Sequence, residues 1–180
     1  MKKMISLEDV SQWRVLIVDD EPDNLTLASE LLSFSGATVA ITEHGVQLLE
    51  MVDEFEPSII LLDLAMPGMD GWEVQRRLRT RPELSFIPII ALTAMAMPED
   101  AERAKMAGFD GYITKPFRVG SLLRDIKTCL TAFVARQEST PVPPESAGPE
   151  APPTQEESQA EPVKEQVNER TDSVEDNPGG

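Results

Sequence analysis

The sequence predicts an α/β fold, a doubly wound parallel sheet of five strands built from a (βα) unit repeated five times. Apolar runs of four to six residues alternate with stretches of helical periodicity from Arg14 to Val134. The third run, Ser58–Leu62 (SIILL), is almost wholly apolar, as a centre strand covered on both faces requires. Strands that alternate with helices pair in parallel through right-handed crossovers, with helices on both faces.

The elements follow in order. Arg14–Val18 (RVLIV) reads as a buried strand, and Pro22–Phe34 as a helix with Leu25, Ala28 and Leu32 on one face and Gly36 past its end. Thr38–Thr42 is the second strand, and His44–Phe55 the second helix, with Leu48, Leu49 and Val52 on one side. Ser58–Leu62 is followed by a helix over Gly71–Arg79, and Ile87–Leu92 by a helix over Pro98–Ala107 with Pro at its start and Gly108 at its stop. Gly111–Thr114 is the fifth strand, and Val119–Val134 the last helix, striped by Leu122, Ile126, Leu130 and Phe133.

Composition bounds the function. The chain has 180 residues, 16 Lys plus Arg against 32 Asp plus Glu, and a formal charge of −16. So acidic a chain does not suit binding to nucleic acid or an anionic membrane surface, and no apolar run reaches the roughly 20 residues of a membrane span. The opening Met1-Lys2-Lys3-Met4-Ile5 briefly resembles the start of a signal peptide, but none is expected, because Glu8 and Asp9 fall where its apolar stretch would be. A single cysteine, Cys129, excludes an intramolecular disulfide and fits a reducing compartment, so a cytoplasmic location is expected. Residues 137–180 contain 8 Pro, 11 acidic and 2 basic residues, and no Leu, Ile, Met, Phe, Tyr or Trp. Such a segment cannot bury enough apolar surface to offset its ordering entropy, so it is expected to be a disordered tail. The expected organisation is an N-terminal extension over 1–12, a folded domain over 13–136 and the tail over 137–180. Leu7, Val10 and Trp13 suit a short helix packed on the domain.

In an open parallel sheet, ligands bind outside the carboxyl ends of the strands. There this sequence places Asp19, Asp20 and Glu21 after strand one, Asp63 after strand three, Thr93 after strand four and Lys115 after strand five. Carboxylates gathered in a small volume repel unless a cation lies between them. A few hard oxygen donors suit Mg²⁺, and a carboxylate is a competent nucleophile toward phosphorus. Phosphoryl transfer asks for positioning and for cations on the equatorial oxygens, which a metal, a lysine and a hydroxyl supply.

Each residue also has a simpler role. Asp20 or Asp23 could cap the first helix, Thr93 could close a turn, and Lys115 could be a solvated charge. Their joint placement at successive strand ends favours the chemical reading. His44, the only histidine, reads as a helix-start residue, and Cys129 as core filling. There is no partner set for a nucleophilic triad, no Walker loop and no dinucleotide fingerprint.

The segments VLIVDDEPDN (Val15–Asn24), LLDLAMPGMDGWE (Leu61–Glu73), IIALTA (Ile89–Ala94) and GYITKPF (Gly111–Phe117) resemble the receiver domain of two-component response regulators. The resemblance covers residues 13–135 and implies the flavodoxin-like sheet order 2-1-3-4-5. It implies that Asp63 is the phosphoacceptor, that Asp19 and Asp20 are the acidic pair that binds Mg²⁺ with Asp63, Asp20 as the direct ligand and Asp19 through water, and that the carbonyl of Ala65 is the third protein ligand of Mg²⁺. It also implies Thr93 as the switch hydroxyl, Lys115 as the lysine facing the phosphoryl group, Tyr112 as the switch aromatic and Pro116 as a residue that follows a cis peptide bond.

The implied partners are a histidine kinase or phosphotransfer protein and a downstream protein target, with a homodimer possible on phosphorylation and no nucleic-acid or membrane partner. No output domain is expected after the last helix, so the signal would leave by protein binding. Met66, Met69, Met95 and Met97 offer pliable contacts near the rim for such a partner, or simply fill gaps. Ala65 and Met95, two residues beyond Asp63 and Thr93, carry no group to activate a water, so a phosphoryl group on Asp63 is not expected to be short-lived. Two other readings stay open. One is a Mg²⁺-dependent phosphatase, which would need an acid where Ala65 stands and a cap enclosing its substrate; the other is a receiver-like module that is never phosphorylated.

Overall fold

The structure is a computed structural model, and it describes residues 5–94, 98–118 and 120–139. Five parallel strands form one sheet: β1 (Arg14–Val18), β2 (Thr38–Thr42), β3 (Ile59–Asp63), β4 (Ile89–Thr93) and β5 (Gly111–Thr114), in the order β2-β1-β3-β4-β5. The helices are α1 (Pro22–Phe34), α2 (Gly45–Phe55), α3 (Gly71–Arg79), α4 (Pro98–Met106) and α5 (Leu122–Ser139).

The period-two alternation of the strands divides the core into two layers. Val15 and Ile17 of β1, Ile59 and Leu61 of β3, and Ile90 and Leu92 of β4 pack against Leu25, Ala28 and Leu32 of α1 and Leu122, Ile126 and Leu130 of α5. Their neighbours Leu16, Val18, Ile60, Leu62 and Ala91 face Leu48 and Val52 of α2, Val74 and Leu78 of α3, and Ala104 of α4. Every residue of β3 is buried, as its near-continuous apolar run predicts for the middle of the sheet.

Several boundaries differ from the sequence reading. β3 and β4 extend one residue further than expected, so Asp63 and Thr93 are the last residues of their strands rather than the first beyond them. His44 is the N-cap of α2, with no side-chain capping bond. The last helix begins at Leu122, after a turn in which the Arg118 carbonyl accepts from the Ser121 and Leu122 N–H groups. It continues to Ser139, past the last apolar residue that marked its expected end. Ala135, Arg136, Gln137 and Glu138 are good helix formers, and the Arg136 guanidinium donates to the Asp110 carbonyl at 2.9 Å. Residues 137–139, counted with the tail above, thus form the last turn of α5. The tail from 140 onward lies outside the described residues.

Val10–Gln12 forms one 3₁₀ turn with Asp9 as its cap, Val10 is buried, and Ile5 and Leu7 pack on the α1/α5 layer. Trp13 is fully buried, and its indole N–H donates to the Ser6 carbonyl at 2.6 Å. No helix among the described residues is long and apolar enough to cross a membrane.

Leu61→Ala should lower the unfolding free energy by about 2–5 kcal/mol, because it opens a cavity in the fully buried centre strand. Phe34→Ser, at a side chain 95% exposed, should change it by less than about 0.5 kcal/mol. Urea denaturation of the two variants checks both values; a larger loss for Phe34 would contradict the layer assignment.

Candidate phosphoacceptor and cation site

Neighbouring parallel strands end at the same rim, and the register fixes which ends meet. Asp63 pairs with Leu92, Thr93 with Thr114, and Val18 of β1 with Leu62 of β3, so the carboxyl ends of β1, β3, β4 and β5 meet at one rim. The Lys115 N–H donates to the Thr93 carbonyl at 2.7 Å, which continues the β4–β5 ladder one step and delivers the lysine across the rim. The Lys115–Pro116 peptide bond is cis.

Asp19, Asp20 and Asp63 each offer a carboxylate oxygen to a cluster whose three atoms lie within 4.8 Å of one another. Asp19 and Asp63 are buried, and Asp20 is exposed. The Lys115 ammonium lies between the two buried acids, 2.8 Å from Asp63 Oδ2 and 3.0 Å from Asp19 Oδ2. Burial works against its charge, but the hydrogen bonds to Asp63 and Asp19 outweigh that and hold its pKa above the ordinary lysine value. Asp63 Oδ1 accepts from the Ala65 N–H at 3.2 Å, and Asp19 Oδ1 from the Glu21 N–H at 3.0 Å.

The loop after Asp63 is held by α3. Asp70 caps that helix by accepting from the Glu73 N–H at 2.8 Å, and the Gly71 N–H donates to the Leu64 carbonyl at 3.2 Å. A Cβ on Gly71 would stand 2.1 Å from the Asp63 carbonyl oxygen, so only glycine allows this helix to approach the Asp63 backbone. Gly68, at φ +79°, makes the intervening turn.

The simpler roles can now be weighed. The N-cap of α1 is Glu21, without a side-chain capping bond, so neither Asp20 nor Asp23 is that cap. Thr93 is buried at the rim, and Lys115 is paired rather than solvated. Tyr112 is 45% exposed on β5. Ala65, two residues beyond Asp63, is exposed. Met66 is buried, and the partly buried Met69 packs on the α2/α3 layer. Met95 and Met97 lie outside the described residues. Cys129 is half-buried in α5, with its thiol pKa pushed up chiefly by burial.

One residue of the site was missed. The Asn24 side-chain amide donates to Asp19 Oδ1 and Oδ2 at 3.1 and 3.2 Å, and to Glu21 Oε2 at 3.2 Å. It stands in the first turn of α1, inside a quoted motif, and a polar side chain facing the acids from that turn was the available signal.

Residues 15–127 match the family described as the response regulator receiver domain. The chain belongs to the response regulator receiver family. It is 38% identical over 116 residues to the polar-differentiation response regulator DivK of Brucella anthropi, covering 64% of this chain and 94% of that protein. A 14.6 kDa uncharacterized protein of Leptolyngbya boryana is 35% identical over 127 residues, covering 71% of this chain and 97% of that protein. Among solved structures, the chemotaxis response regulator CheY4 of Vibrio cholerae superposes with a TM-score of 0.62 at 29% identity, over 65% of this chain and 98% of that one. The BeF3-activated receiver domain of DrrB gives 0.56 at 32% identity, over 66% and 97%. Receiver domains are signalling switches that bind Mg²⁺ at an acidic pocket and interact with histidine kinases or phosphotransfer proteins.

Two outcomes test this geometry. Gly71→Ala should destabilise the fold by about 1–3 kcal/mol and shift the backbone amide resonances of Asp63, Leu64 and Ala65 in a ¹⁵N NMR spectrum. Unmoved resonances would contradict the close approach. Lys115→Met, which leaves two buried carboxylates without their cation, should lose about 3 kcal/mol near neutral pH. Because the folded pKa of Lys115 is raised, its contribution is complete below the ordinary lysine pKa of about 10.4 and is lost only as pH rises through the folded value. The difference from wild type in urea titrations should therefore be flat between about pH 6 and 9. A difference that disappears across that window would contradict the pairing.

Proposed function

We propose that this chain is a phospho-accepting switch of a two-component or phosphorelay system, in which Asp63 takes a phosphoryl group from a phosphohistidine on a partner histidine kinase or phosphotransfer protein. The observation that carries this reading is the Lys115 ammonium 2.8 Å from Asp63 Oδ2, within a three-acid cluster whose charge one ammonium does not balance. An Asp63 carboxylate oxygen attacks phosphorus in line; the new P–O bond forms as the P–N bond breaks, and the imidazole leaves with the electron pair. Lys115 turns an N–H toward the transferring oxygens.

The donor set suits a hard divalent cation: carboxylate oxygens of Asp19, Asp20 and Asp63 with the carbonyl of Ala65 would hold Mg²⁺. Bound there, Mg²⁺ supplies positive charge to the phosphoryl oxygens. The phosphorylated Asp63 then recruits the Thr93 hydroxyl, Tyr112 turns inward from its half-exposed position, and the equilibrium of the surface formed by α4, β5 and α5 shifts. The output is then a protein contact made by this surface, with a homodimer as one form of it. The chain acts as a switch with at most self-phosphorylation and self-dephosphorylation, in the cytoplasm.

Incubation with acetyl phosphate and Mg²⁺ should add about 80 Da, the mass of one phosphoryl group, by mass spectrometry. Asp63→Asn or excess EDTA should abolish the adduct, and an undiminished adduct on Asp63→Asn would place the chemistry elsewhere. Once formed, the adduct should outlast seconds, because Ala65 cannot activate a water.

A further inference from the structure

We propose that Asn24 is a positioning residue for the cation site, one that keeps the Asp19 carboxylate aimed into the acid cluster alongside the shared Lys115 ammonium. This inference rests on the reading of Asp19, Asp20 and Asp63 as a Mg²⁺ site.

Asp19 is fully buried, so its carboxylate depends on protein donors. Among the described residues these include the Glu21 N–H, the Asn24 amide and the Lys115 ammonium. Asp63 accepts from the Ala65 N–H and the same Lys115 ammonium. Lys115 is thus shared, and any turn of its N–H groups toward a phosphoryl on Asp63 weakens its hold on Asp19. Asn24 covers that loss, because its amide reaches both Asp19 oxygens. It also reaches Glu21 Oε2, which ties the loop after β1 to the first turn of α1. A carboxamide does this without adding charge. An arginine or lysine in its place would neutralise the cluster and compete with the metal, whereas asparagine orients the ligand and leaves the negative charge to the cation. Partners that orient a metal ligand in this way typically change metal affinity by about 10–100-fold when removed.

The test is isothermal titration of the full chain with MgCl₂, paired with thermal melting in EDTA to confirm folding. Asn24→Leu, of similar size without a donor, should bind Mg²⁺ about tenfold more weakly than wild type. Asn24→Gln, which keeps the carboxamide, should recover most of that affinity. Should Asn24→Leu fail to fold, Asn24→Ala carries the same expectation. Wild-type affinity in Asn24→Leu or Asn24→Ala, or a loss in Asn24→Gln as large as in Asn24→Leu, would overturn the positioning role while leaving the metal site standing. Absence of Mg²⁺ binding by the wild type would instead overturn the metal reading and this inference with it.

Discussion

The site depends on one ammonium group shared by two buried carboxylates. Lys115 arrives from the end of β5, Asp63 from β3 and Asp19 from the loop after β1, and none of the three is near another in sequence. Two buried anions without a cation would repel each other and forfeit their hydration. With the lysine between them the fold accommodates both, while exposed Asp20 keeps the cluster short of positive charge. That residual deficit suits a hard divalent cation at the rim, as the proposed function requires. One local imbalance therefore links the parallel sheet to the chemistry proposed for it.

The surrounding structure holds this imbalance in place. The Lys115 N–H is bonded to the Thr93 carbonyl, so the lysine's backbone is an extension of the sheet rather than a mobile loop. α3 presses against the Asp63 carbonyl through a position open only to glycine. At the opposite end of the strands, Arg79 pairs with Asp110 at 2.5 Å, and Asp110 also accepts from the Ile89 N–H at 2.9 Å, which fastens the starts of β4 and β5. Burial raises the Asp110 carboxyl pKa and lowers that of Arg79, the signature of a pair withdrawn from water. Arg14, the first residue of β1, donates to the Phe55 carbonyl at 2.9 Å and stacks on the Phe55 ring, closing the end of α2.

Much of this was legible in the residues. The alternation of apolar runs with helical periodicity located the five strands and the five α-helices of the described residues, though not the short 3₁₀ turn Pro82–Leu84, because each long element buries one face or both and the apolar pattern records which. The acids, hydroxyl and lysine at the strand ends were legible because a parallel sheet gathers those ends at one rim. Boundaries were less legible where polarity and backbone state diverge. Asp63 and Thr93 are polar, which suggested the strands had ended, yet their backbones remain in the ladder. The polar residues after Arg136 suggested a tail, yet 137–139 form the last turn of α5. Contacts such as Asn24 with Asp19 or Arg79 with Asp110 leave no periodic trace, since each depends on a particular turn bringing distant groups together.

The central claim is that Asp63, faced by Lys115 within a magnesium-binding acid cluster, is the residue that accepts the phosphoryl group. Beryllofluoride mimics that group on a carboxylate, and ¹⁹F NMR reads its attachment directly. With Mg²⁺ present, the wild-type chain should show protein-bound fluorine resonances that vanish in Asp63→Asn and on removal of the metal. The same bound resonances in Asp63→Asn would contradict the account.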